Sequence, residues 1–182
     1  MRGFGIRHRE EGFTLIELMI TLVIAAILLG IVAPGMATLV ERNRLQSTSE
    51  NLFTSLMLTR SEALKRNREV VMCKSADGTS CATDSGTQWE QGWLVYVDVN
   101  GNGDPDTDEI LRVSGPLANG MTLRMSGDFA NEISYNTDGT ASGAGTFIMC
   151  NPSGDTQSAR EVAVAFTGRP KMNKTTTSCT PS

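Results

Sequence analysis

A single carboxylate, Glu17, stands between apolar neighbours at the head of a 23-residue uncharged run, Leu18–Val40. A run of that length can cross a membrane as a helix at about 20 residues per crossing. A charge inside a bilayer costs roughly 2.5–3.5 kcal/mol even on the mildest scales, so the acid implies a cationic partner. A second group offers oxygen ligands. Asp98–Glu109 matches the D-x-[DN]-x-[DN]-G-x5-E spacing, with Asp98, Asn100, Asn102, Asp104 and Glu109 as candidate ligands of a calcium ion. A third group is basic: Arg160, Arg169, Lys171 and Lys174 face one acid, Glu161, near the C-terminus. Such an excess suits phosphate, and Arg169, Lys171 and Lys174 are the candidate DNA contacts.

Each group has a plainer reading. A strand pattern precedes the Asp98–Glu109 loop, Ile110–Val113 reads as its return strand, and Pro105 sits in the middle. Asn, Asp and Gly also build any tight exposed turn, so a simple hairpin loop is preferred, with calcium as the alternative. A solvated basic tail is likewise preferred over DNA contact. The four cysteines, Cys73, Cys81, Cys150 and Cys179, all follow the apolar run. Their even number fits two disulfides in an oxidising compartment. Of three pairings, Cys73–Cys81 with Cys150–Cys179 is favoured, because each bond ties a polar loop or tail to a strand. No C-x-x-C knuckle supports zinc.

The only histidine is His8, ahead of the apolar run. A chain shortened beyond it would lack Ser-His-Asp, Cys-His and His-ligated metal chemistry altogether. No enzyme activity is expected, and no cofactor apart from the calcium alternative. The formal net charge of −4 gives the whole chain no general attraction to nucleic acid.

The leader, residues 1–12, carries Arg2, Arg7 and Arg9, and no small-residue cleavage site follows the apolar run before Glu41. That excludes an ordinary secretory signal. Gly12-Phe13-Thr14-Leu15-Ile16-Glu17, followed by Pro34 along the run, resembles the start of the type IV pilin family, including the pseudopilins of type II secretion. The resemblance implies cleavage between Gly12 and Phe13 by a prepilin peptidase and N-methylation of Phe13. It also implies assembly guided by Glu17, which pairs with the Phe13 amine of a neighbouring subunit. Arg60-Ser61-Glu62-Ala63, Gly92–Asp98, Ile133–Asn136 and Asp138-Gly139 further resemble the GspH/FimT/FimU branch of minor pilins. In the transformation-associated FimT subgroup a G-R-x-R element contacts DNA, and Gly168-Arg169-Pro170-Lys171 is its counterpart here, with lysine and proline as departures.

Around these residues the chain reads as three parts: leader 1–12, the membrane half of a helix at 13–40, and a head at 41–182. The helix continues amphipathically over Met36–Arg68, with Leu45, Leu52, Leu56, Ala63 and Leu64 as its packing face. Pro34 is expected to kink or loosen it. Seven strands follow at Val70–Cys73, Trp93–Val97, Ile110–Val113, Met121–Met125, Ile133–Tyr135, Phe147–Cys150 and Val162–Phe166. Trp89 and Trp93 are read as core residues. The expected fold is α+β and pilin-like, a long N-terminal helix packed on a mainly antiparallel sheet. The basic leader and distal cysteines orient the amino end to the cytoplasm, with the head periplasmic and later on a pilus or cell surface. The expected function is a minor type IV pilin that primes or caps a filament. A DNA-binding minor pilin and a type II secretion pseudopilin are the alternatives. Expected partners are other pilins, the prepilin peptidase, the inner membrane and, in the second case, DNA.

Overall fold

The computed structural model describes residues 12–118, 120–152 and 159–174, with the side chains of residues 31–35, 37 and 38 also outside the description. The leader up to residue 11 and Cys179 therefore lie outside the described residues. The chain divides into two units, Met1–Val40 and Glu41–Ser182. Helix α1, Leu15–Arg66, belongs partly to each and is not ended by Pro34.

In the first unit every described residue from Gly12 to Gly30 is exposed, although nearly all are apolar. A helix that is apolar all round needs cover from lipid or other helices. Among the described residues no helix is long and apolar enough to cross a membrane. The uncharged run Leu18–Val40 includes residues 31–35, 37 and 38, which lie outside that description.

In the second unit, α1 buries Leu45, Ser49, Leu52, Ser55, Leu56, Thr59 and Ala63. The spacing follows one helical face. Three of these residues are hydroxylic, and each donates to the carbonyl one turn back: Ser49 to Leu45, Ser55 to Asn51 and Thr59 to Ser55, at 2.6–2.9 Å. Local satisfaction is what lets them face the core. Leu64, expected on the packing face, is 47% exposed. Helix α1 stops where Asn67 takes a left-handed φ of 51°, a conformation common just past helix ends.

Eight strands follow: β1 Val70–Lys74, β2 Trp93–Val97, β3 Ile110–Ser114, β4 Thr122–Gly127, β5 Glu132–Tyr135, β6 Gly145–Cys150, β7 Arg160–Val164 and β8 Pro170–Lys174. They form two four-stranded sheets rather than the single sheet expected. One has the order β3-β2-β1-β5 and the other β4-β6-β7-β8, and every pairing is antiparallel. Strand β7 ends at Val164 and not Phe166, which lies in the following turn and is 61% exposed.

Strands β1 and β2 are buried at every residue, hence their apolar runs Val70–Cys73 and Trp93–Val97. One face, with Val70, Met72, Trp93, Val95 and Val97, joins the core shared with α1 and the second sheet. The other face, with Val71, Cys73, Leu94 and Tyr96, makes a smaller cluster against Cys81 and Ile110. Trp89 and Trp93 are core residues. Trp89 meets Phe147 edge-on at 5.1 Å, and the Trp93 indole donates to Ser55 Oγ at 3.0 Å.

The Cys73–Cys81 disulfide, eight residues apart, pins the loop after β1 onto the smaller cluster. Cys150 is also disulfide-bonded, and its expected partner, Cys179, lies outside the described residues. A bond closing so short a loop stabilises by about 2–3 kcal/mol in the chain-entropy account. Changing Cys73 and Cys81 together to serine should lower unfolding stability by that amount, measured by chemical denaturation.

Candidate functional site

The start of α1 is built by a local device. Thr14 precedes the helix, its carbonyl accepts from the Leu18 amide at 3.2 Å, and its hydroxyl accepts from the Glu17 amide at 3.3 Å. Thr14-Leu15-Ile16-Glu17 thus has the spacing of a capping box, a role for Thr14 that the sequence reading missed although the pattern was legible. Glu17 also sits in the first turn, where the helix dipole favours a negative charge. Among the described residues its carboxylate has no ion-pair partner; the salt bridges there are those of Glu62 to Lys65 and Arg66. Phe13, 86% exposed, stands immediately before this cap. A side chain added at Gly12 would meet nothing within 4 Å. Folding therefore does not demand glycine at position 12. Pro34 lies within α1, with its side chain outside the description.

The Asp98–Glu109 loop turns its oxygens inward onto its own backbone. Glu109, 4% exposed, accepts from the amides of Val99 and Asn100 through Oε1 and of Asp106 through Oε2. Asp98 accepts from Gly101 and Gly103, Asn100 from Asn102, and Asn102 from Asp104. Among the described residues the Asp104 carboxylate accepts no such bond, and no group of three or more His, Cys, Asp or Glu is placed to hold a metal. The carboxylate of Glu109 thus ties the two ends of the loop together through three backbone amides. Glu109→Gln should destabilise the protein by about 1–3 kcal/mol, through the amides it leaves unmatched. Millimolar calcium should leave the melting temperature of the wild type unchanged if the loop is a plain hairpin; a rise on titration would support the calcium alternative.

The basic residues are not on a tail. Lys171 and Lys174 belong to β8, paired opposite Ala163 and Arg160. Residues three apart on a strand point to opposite faces, so the sequence group divides. Lys174 shares a face with buried Pro170, while Lys171 stands on the other face and Arg169 is exposed in the preceding turn. Arg160 is engaged with helix α1, donating to Gln46 at 2.9 Å. Strand β8 escaped the sequence reading because Pro, Asn and Lys are poor strand formers, and proline is tolerated here as the first residue of an edge strand.

Three segments that carried the family resemblance converge in space. Arg60 Nε donates to the Gly139 carbonyl at 2.9 Å. Gly168, at φ 72°, approaches that same carbonyl so closely that an added Cβ would lie 2.0 Å from its oxygen, and 3.1 Å from the Tyr135 ring. The Asp138 carboxylate accepts from the hydroxyl and amide of Thr140, which hold its pKa below the usual carboxylate range and stiffen the turn. Burial pushes the Tyr135 hydroxyl up, and that hydroxyl has no partner among the described residues. The glycine of Gly168-Arg169-Pro170-Lys171 is therefore a packing requirement.

The fold recurs in known proteins. A structure of the type IV minor pilin FimU of Pseudomonas aeruginosa (strain PAO1) is 25% identical with a TM-score of 0.59, covering 77% of this chain and 98% of that one. The minor pseudopilin EpsH of the Vibrio cholerae type 2 secretion system is 12% identical with a TM-score of 0.54, over 72% and 97% of the two chains, a likeness of fold. No curated protein sequence matches the chain. The prokaryotic N-terminal methylation motif matches residues 7–33, spanning Gly12, Phe13 and Glu17. The type II transport protein GspH family matches residues 48–168, from the packing half of α1 through the Arg60–Gly139–Gly168 convergence. With both the processing motif and the two-sheet head accounted for, this chain belongs to the GspH family of pilin-like proteins.

Proposed function

We propose that this protein is a minor type IV pilin that is cut between Gly12 and Phe13, methylated on Phe13, and built into a filament through α1. The observation that carries this reading is an exposed apolar helix start and one acid, Glu17, without an ion-pair partner among the described residues. Cleavage at Phe13 creates a cation four residues from Glu17. In a stack of helices each carboxylate meets a neighbour's amine, and low dielectric strengthens the pair. That removes two isolated charges from lipid and sets the axial stagger. The likeness to a minor pilin supports a minor component over the bulk subunit, and in this reading that component initiates or caps the filament. In this reading α1 holds the protein in the inner membrane, amino end cytoplasmic and head periplasmic, until assembly, and Cys150 bonds with Cys179. Deletion in the native host tests it: loss of pili with secretion intact is expected, whereas loss of secretion alone would make the protein a pseudopilin.

A second reading rests on exposed Arg169 and Lys171 beside the β8 edge: contact with DNA phosphates. Lysine keeps the charge for such contact but lacks the guanidinium fork. Salt-dependent DNA binding that is lost in Arg169→Gln/Lys171→Gln supports this reading; absence of such binding by the wild type ends it.

A further inference from the structure

Two Asn-Gly pairs stand in succession at the tip of the β2–β3 hairpin, Asn100-Gly101-Asn102-Gly103, and all four residues are exposed. Asparagine before glycine can rearrange without an enzyme, because glycine has no side chain to shield its amide nitrogen. That nitrogen bonds to the asparagine Cγ, the Cγ–Nδ2 bond breaks, and the amide proton leaves with Nδ2 as ammonia. Water then opens the five-membered imide at either carbonyl, giving aspartate or isoaspartate. Sterically both pairs are open to this reaction: a Cβ at Gly101 or Gly103 would meet nothing within 4 Å.

The reacting atoms are nonetheless held. Asp98 accepts from the Gly101 amide at 2.6 Å through Oδ1 and from the Gly103 amide at 3.0 Å through Oδ2. Asp106 Oδ2 accepts from Nδ2 of Asn100 at 2.6 Å and, more weakly, from Nδ2 of Asn102 at 3.5 Å. Imide formation consumes the glycine N–H and expels Nδ2. Each of these bonds is therefore present in the reactant and lost on the way to the product. Interactions that favour the ground state over the transition state raise the barrier. The ends of the loop are secured separately, by Glu109 on the amides of Val99, Asn100 and Asp106.

We propose that Asn100 and Asn102 are latent deamidation sites, which Asp98 and Asp106 keep shut while the hairpin tip is closed. Each conversion adds a negative charge, and isoaspartate lengthens the backbone by one carbon, so the pair makes an irreversible record of local opening at the tip. The full chain in detergent micelles is incubated in mildly alkaline buffer and digested, and mass spectrometry of the peptides reads conversion at each asparagine. Wild type should convert at least tenfold more slowly than a free peptide of residues 98–109, the weight of one hydrogen bond to a charged group. Asp98→Ala should close that gap at both asparagines. Asp106→Ala should speed Asn100 more than Asn102, because its bond to Asn100 is the shorter. Asp104→Ala removes a carboxylate outside the latch and should match wild type. This order separates the latch from a hairpin that has merely come apart, in which both asparagines would speed up alike in every variant. Conversion of folded wild type at the rate of the peptide overturns the proposal, as does Asp106→Ala speeding both sites equally. An unchanged rate in Asp98→Ala also overturns it, and so does a slower one, which would make Asp98 a base for the reaction.

Discussion

Gly168→Ala should cost the protein about 4 kcal/mol or more, a loss in the range that marks a specific structural conflict. Its Cβ would stand 2.0 Å from the Gly139 carbonyl oxygen, and no side-chain rotation relieves a clash with backbone. The turn Asn136–Thr140 must move, and the Arg60–Gly139 hydrogen bond moves with it. A hydrogen bond to a charged group contributes about 1.5–3 kcal/mol, and the left-handed backbone adds about 1–2 kcal/mol for alanine. Gly101→Ala is the control, since φ there is 78° yet nothing lies within 4 Å of the added carbon. It should show the backbone cost alone. Chemical denaturation of both variants checks the difference; equal losses would mean that the 168–139 contact relaxes freely. The outcome also bears on DNA contact, because altering Gly168 would then abolish binding through misfolding, without any loss of charge.

Glu17→Leu should leave the amount of protein in the membrane unchanged or raised, while its recovery in sheared filaments falls at least tenfold. Leucine removes the cost of holding a charge in lipid, which reaches roughly 2.5–3.5 kcal/mol at the bilayer centre and is smaller toward the helix end, so the lone membrane-held form becomes more stable. The same change removes the carboxylate that would neutralise a neighbour's amine, at about 1.4 kcal/mol per tenfold in assembly. Two further variants separate this from helix capping. Thr14→Ala deletes the hydroxyl that caps the Glu17 amide, a loss of about 1 kcal/mol of helix stability with the charge intact. It should assemble nearly as the wild type does. Glu17→Asp keeps the charge and should assemble better than Glu17→Leu. Filament levels of Glu17→Leu equal to wild type would remove the ion-pair account of assembly.

Much of the head could be read from consecutive residues. Strands β1 to β7 announce themselves as short apolar runs between Gly, Asn and Asp breaks, and the Trp93–Val97 strand has the expected bounds. Other features depend on distant pairing. Strand β8 exists because Val164 pairs with Pro170 and Ala163 with Lys171, a register its own composition does not favour. Whether eight strands make one sheet or two is likewise decided by which edges meet. Spacing puts Leu64 on the packing face, yet it is 47% exposed, while Ser49, Ser55 and Thr59 are buried. Their burial follows from hydroxyl-to-carbonyl bonds within the helix, which hydropathy does not register.

Residues 12–17 and the uncharged run behind them determine, by themselves, an N-terminal methylation motif and an apolar helix with an acid in its first turn. Those features are local: a cap, a charge and a run of side chains need no distant partner to have their effect. Tertiary structure alone decided that Glu109 accepts from the amides of Val99, Asn100 and Asp106, and that β4 ends the second sheet. It also decided that Arg60, 79 residues from Gly139, holds the carbonyl against which Gly168 packs. Such contacts join residues far apart in the chain, and each is selected by the shape of the whole core.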